Sequence, residues 1–204
     1  MQNLNKKEFE PESLINKAIE DPNILAELIN NLVAKDETIR YNSHKVLLII
    51  SQNKPKVLYP YWDFFSDLLK SQNNFHKVIG IQILANLAKI DTKNKFEDIF
   101  NIYCNLLDAK SVMTAGHLAA NLGIIAKVKP NLRDKLTNVL LNIDKTHHEL
   151  GRKDLIKAYI IESFYEYFNE IEDKGEVIEF VKAQLDSKSP KTRKAAEKFL
   201  KKYN

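Results

Sequence analysis

An all-α fold built from repeated helix pairs is what this sequence predicts, and three observations predict it. Apolar residues recur at spacings of three and four, as in Ile24, Leu25, Leu28 and Leu32, then Ile39, Val46, Leu47 and Ile50, which is the helical period. Five Gly and six Pro in 204 residues are too few for a many-stranded sandwich or barrel, which needs a breaker about every 8–12 residues. The apolar pattern also repeats along the chain. Trp62-Asp-Phe-Phe-Ser-Asp-Leu-Leu69 matches Phe100-Asn-Ile-Tyr-Cys-Asn-Leu-Leu107 at an offset of 38, and Leu87-Ala-Lys-Ile90 matches Ile125-Ala-Lys-Val128 at the same offset.

The elements follow in order. A leading helix near 11–20 caps the open end of the stack. The first pair is read as 22–34 and 37–52, started by Asp21-Pro22, a capping side chain before a proline whose missing N–H costs nothing at the first helical position. The second pair is 59–70 and 74–90, with Pro55 in the polar link before it and Pro60 in its first turn. The third is 94–107 and 110–128, closed by a link holding Pro130. The fourth is 131–143 and 152–170, with Gly151 and Gly175 between periodic segments. The fifth is 175–186 and 189–203, opened by Ser189-Pro190. The expected organisation is one domain, 1–204, with repeats near 22–52, 56–90, 94–128, 131–170 and 175–203.

Each second helix carries a small residue one turn in: Ser43, Gly80, Ala158 and Ala196, with Leu118 the departure. Glycine inside a helix costs about 1 kcal/mol relative to alanine, so Gly80, Gly116 and Gly123 imply close helix approach.

Asp186-Ser-Lys-Ser-Pro-Lys-Thr-Arg-Lys-Ala-Ala-Glu-Lys-Phe-Leu200 resembles the aspartate, proline, arginine, alanine, leucine pattern of HEAT repeats, the armadillo-like helical solenoids. Asp36, Arg40, Ser43 and Leu47 echo it four pairs earlier, while Lys77, Ala115 and Leu155 stand at the arginine's place in the middle pairs. The resemblance covers roughly residues 20 to 204. It implies a right-handed α-α superhelix of about five pairs, with second helices lining a concave face that holds extended partners.

Composition narrows the function. The hydrophobic share is 44% and the charged share 28%, the balance of a soluble globular chain. The longest strictly apolar run, Val46 to Ile50, is far below the roughly 18 residues of a membrane span. One cysteine and a polar first ten residues point to a cytoplasmic protein without a disulfide framework. Net charge is +4, distributed as −1 over 1–55, +3 over 56–130, −2 over 131–174 and +4 over 175–204.

No Gly-x-Ser-x-Gly, phosphate-binding Gly-rich loop or dinucleotide fingerprint occurs, so no enzyme, cofactor or metal is expected. Cys104 lies among Ile102, Tyr103 and Leu106 and reads as a packed small hydrophobe. His147-His148-Glu149, in an inter-helix loop, supplies only half of a His-Glu-x-x-His zinc pattern and reads as a solvated loop. Two aromatic clusters, Tyr59 to Phe65 and Tyr159 to Phe168, read mainly as packing. Five aromatics in seven residues exceed one helical face, so part of Tyr59, Tyr61 and Trp62 is expected to be exposed or to pack on the preceding pair.

Two candidate surfaces remain. The outward stripe of the second helices gives a partner-binding row of Asn42, Lys45, Gln82, Asn86, His117 and Asn121. The last helix gives a basic stripe of Lys191, Lys194, Lys198 and Lys202, spaced to meet phosphates. A non-enzymatic scaffold that binds a protein on its concave face is the leading reading. The alternative is a nucleic-acid-binding solenoid similar to the HEAT-like DNA glycosylases, although Trp62-Asp63, the only Trp-Asp pair, falls on a first helix, away from the face such enzymes use.

Overall fold

The structure is a computed structural model that describes residues 4–6 and 8–203. It is all-helical, with no strand among those residues, and none of its helices is long and apolar enough to cross a membrane. The chain divides into two compact units, Met1–Ile90 and Asp91–Asn204.

The first unit begins with α1 (Glu12–Glu20) and α2 (Pro22–Asn31). Asp21 opens α2 as the sequence predicts: its Oδ1 accepts from the Asn23 N–H at 2.8 Å, and Pro22 takes the first helical position. In α3 (Glu37–Asn53) the cap is stronger, since Asp36 Oδ1 accepts from both Thr38 N–H and Ile39 N–H at 2.8 and 3.1 Å. Pro55 does not sit in a link. It opens a further short helix, α4 (Pro55–Leu58), which runs through a 3-10 turn holding Pro60 into α5 (Trp62–Leu68). Proline suits a first turn as well as a link, because neither requires its N–H. The unit closes with α6 (Asn74–Leu87), which packs on α3 and α5.

Gly80 explains the second of these contacts. A Cβ at Gly80 would lie 2.8 Å from the Phe65 carbonyl oxygen and 3.0 Å from Leu69 Cδ2. Trp62 and Phe65 are fully buried, while Tyr59 and Tyr61 are half-buried. The aromatic excess is therefore absorbed by turning the two tyrosines, not the tryptophan, toward the surface.

The second unit holds α7 (Lys95–Cys104), α8 (Val112–Val128), α9 (Arg133–Leu141), α10 (Leu150–Tyr167), α11 (Gly175–Lys182) and α12 (Pro190–Tyr203). Helix α10 is its centre and packs on both α8 and α12. It starts two residues earlier than the periodicity predicts, so Gly151 lies in its first turn and not between elements. A Cβ on Gly151 would touch nothing, so this glycine marks no close approach. Where Leu118 replaces the expected small residue, the neighbours supply the approach. A Cβ at Gly116 would sit 3.2 Å from the Tyr159 ring, and one at Gly123 would sit 2.5 Å from the Ser163 carbonyl oxygen. Ser43, Ala158 and Ala196 are buried as the pattern predicts.

Each unit also holds long-range side-chain hydrogen bonds. Asn86 Nδ2 donates to Ser51 Oγ and Lys89 Nζ to the Gln52 carbonyl, 35 and 37 residues apart. Arg133 Nη1 donates to the Glu170 carbonyl across 37 residues, and Tyr203 Oη to the Tyr165 carbonyl across 38. Thr192 Oγ1 donates to the Asp154 carbonyl, also across 38. Two of these five separations equal the sequence offset of 38, and the others fall one to three residues short of it. Arg40 and Arg193, each four residues past a capping side chain, make the same bond: Nη1 donates to the carbonyl six residues upstream, Ala34 or Ser187, at 2.8 and 2.6 Å.

Candidate functional site

Half of the row read from the sequence is internal. Asn42 is buried, and its Nδ2 donates to the carbonyls of Leu4 and Lys6, both at 2.9 Å, so it ties the N-terminal segment to α3. Asn86 is buried and donates to Ser51 Oγ at 2.9 Å. Asn121 is buried and donates back to the His117 carbonyl at 2.7 Å. Lys45, Gln82 and His117 are half-buried. Lys45 Nζ stands 4.7 Å from the Tyr41 ring centre, and burial holds the His117 imidazole below its ordinary value. Three of six expected contact residues are therefore structural amides. A polar residue at a helix–helix seam must be paired, and periodicity alone does not separate such a seam from an open face.

The basic stripe is different. Lys191, Lys194, Lys198 and Lys202 are all exposed on α12, and three of them lean on aromatic residues of α10. Lys191 Nζ lies 3.4 Å from the Tyr159 ring centre and 3.4 Å from Glu162 Oε1. Lys202 Nζ is 4.1 Å and Lys198 Nζ 5.2 Å from the Tyr165 ring centre, distances at which a ring face attracts a cation. Lys202 is raised above the ordinary lysine value, first by its hydrogen bond with Tyr203. Between α10 and α12 lies a groove of about 370 Å³ lined by Ile161, Glu162, Tyr165, Glu166, Lys191, Lys194, Ala195 and Lys198. Carboxylates are part of this surface: Glu166 also stands 3.5 Å from Lys127 Nζ.

Two polar clusters in the second unit bring together partners the sequence did not pair, and in the second His148, read from the sequence as part of a solvated loop, is buried. In the first, Lys129 Nζ bonds Asp91 Oδ2 and Glu97 Oε2, both at 2.8 Å, with Lys129 and Asp91 buried. The same Asp91 carboxylate accepts the N–H groups of Lys95 and Phe96 at the start of α7, at 3.0 and 2.9 Å. Burial alone would raise Glu97, but the hydrogen bonds of Lys129 and Asn131 outweigh it and hold the carboxyl below its ordinary value. This cluster fastens the start of α7 to the end of α8.

The second cluster joins Asp108, at the end of the 3-10 turn Asn105–Asp108 that follows α7, to His147 and His148, just ahead of α10. Their ligand atoms lie within 4.8 Å of one another. The backbone N–H of His147, at 2.8 Å, and its ring Nδ1, at 2.5 Å, both meet Asp108 Oδ1. That backbone bond is the first reason the Asp108 carboxyl sits below its ordinary value. Cys104 is buried nearby in sequence, and burial pushes its thiol up to about 12, so it is held protonated.

No family model and no curated protein matches the chain. Among solved structures, a crystal structure of an engineered protein is similar over 98% of this chain and 96% of its own, at 14% identity and a TM-score of 0.49.

Proposed function

We propose that this chain is a non-enzymatic, HEAT-like helical-repeat module that docks a protein segment on the α10–α12 face of its second unit. The repeat reading is supported by the 35- to 38-residue hydrogen bonds and by the shared Arg40 and Arg193 contacts. Stacked pairs bury their faces against neighbours and leave extended surface, which favours binding over catalysis.

The mixed chemistry of the α10–α12 groove carries the choice of partner. Two carboxylates, three lysines and a tyrosine face share one groove. A run of phosphates laid there would meet Glu162 and Glu166 as well as the lysines. A peptide bearing both signs and an apolar anchor would satisfy all of them. Nucleic acid stays as the second reading on the strength of the four exposed lysines of α12.

One experiment separates the two. Lys194→Glu and Lys198→Glu together reverse exposed charge without touching the core. The expected result is a protein captured from nuclease-treated native lysate by the wild type and lost by the variant, with equal melting temperatures. Retained capture by the variant would remove this face from consideration. Wild-type binding to a fluorescent duplex with a log–log salt slope near −3.6, about 0.9 for each of four neutralised phosphates, would install the nucleic-acid reading instead.

A further inference from the structure

The geometry points to a divalent transition-metal site, with Zn²⁺ its simplest occupant, formed by Asp108, His147 and His148 in the second unit. This site lies outside the α10–α12 face and does not depend on the function proposed for it.

Two imidazoles and one carboxylate are the donor types that zinc takes, and three protein ligands leave a position for water. Here the three already converge, with ligand atoms within 4.8 Å of one another and imidazole ring centres 4.4 Å apart. The surroundings also prepare the ligands. His148 is buried, and its Nε2 is 3.1 Å from the Leu107 carbonyl oxygen. A carbonyl only accepts, so this nitrogen carries a proton, and in the neutral ring Nδ1 is the nitrogen with the lone pair a metal needs. A ligating histidine orients itself in just this way, by donating its second ring N–H to a carbonyl. His147 is exposed. Its backbone N–H anchors it to Asp108 Oδ1, and neither of the two bonds between His147 and Asp108 uses Asp108 Oδ2.

The loop carrying the histidines is itself secured. Thr146 Oγ1 donates to the Ile143 carbonyl at 2.7 Å, and Lys153 Nζ to the Asp144 carbonyl at 2.8 Å. Lys157 Nζ stands 2.9 Å from Asp144 Oδ1. With Asp108 and His147 open to solvent and His148 buried beneath them, an ion has both an entry side and a floor. Imidazole and carboxylate donors also suit Ni²⁺ and Cu²⁺, and since Cu²⁺ has the highest intrinsic affinity in the first-row series, a preference for Zn²⁺ would come from geometry and metal availability.

The test is a competition titration of Zn²⁺ between a chromogenic chelator and the untagged protein, run on the wild type, Asp108→Asn, His147→Ala and His148→Ala. One Zn²⁺ per chain is expected in the wild type. Losing a direct ligand should cost at least the ~10- to 100-fold that loss of an outer-shell partner costs. Because His148 is buried, the two exposed variants decide the matter if His148→Ala does not fold. Melting temperature supplies a second readout: Zn²⁺ should raise it in the wild type by mass action and leave it unmoved in Asp108→Asn and His147→Ala. Absence of stoichiometric binding by the wild type, or equal binding by both exposed variants, would overturn the site. Asp108 and His147 would then be no more than a clasp on the loop.

Discussion

Gly80 shows how much a single missing side chain decides. A helix interior disfavours glycine by about 1 kcal/mol relative to alanine, yet here the exchange is not free to be made. The new Cβ would press to 2.8 Å against a backbone oxygen, that of Phe65, which cannot rotate aside as a side chain would. Gly80→Ala should therefore lower stability in spite of its better propensity, the overpacking penalty of about 1–3 kcal/mol exceeding the gain. Urea denaturation would read this as a lower midpoint. An unchanged midpoint would mean that α5 and α6 part at no cost. Asn42, Asn86 and Asn121 teach the complementary lesson. Their spacing is that of an outward stripe, but each is buried with its amide donating inside the fold. An amide row looks the same in sequence whether it faces a partner or its own chain.

Helix ends carry much of the element-scale specification. Asp36 accepts two N–H groups at the start of α3, so Asp36→Ala should cost about 1 kcal/mol, within the 0.5–2 kcal/mol seen for lost caps. Thermal unfolding would show it, and Asp36→Asn should recover most of it because the amide oxygen still accepts. The α7–α8 clasp adds a pH dependence. Glu97 is depressed in the fold, so the unfolded chain binds its proton first as pH falls. Its contribution to stability is complete above the unfolded value, about 4.5, and is lost as pH drops through the lower folded value. The stability difference between wild type and Glu97→Gln should thus be constant from pH 8 to 6 and shrink below pH 4.5. Denaturation midpoints across that range check it, and a difference that grows on acidification would contradict the clasp.

At the scale of the molecule, the all-helical class, the order of the helices and most of their bounds were open to reading. They rest on local physics: apolar period, capping side chains and the positions of proline and glycine all act within a few residues. Even the departures are local, as with Pro55 opening a helix and α10 beginning at Leu150. The apolar pattern repeats in the sequence at an offset of 38, and some hydrogen bonds within each unit span 35 to 38 residues. What the sequence by itself determined about this protein is thus its all-helical class, its helices and their order. Only the tertiary structure decided which polar residues face inward and which distant groups meet: Lys129 with Asp91 and Glu97, and Asp108 with His147 and His148. The reason is that a helix's period defines its faces but not what lies opposite each one. That is settled by packing against an element some 38 residues away, where a change of a few ångströms exchanges a solvated lysine for a buried ion pair.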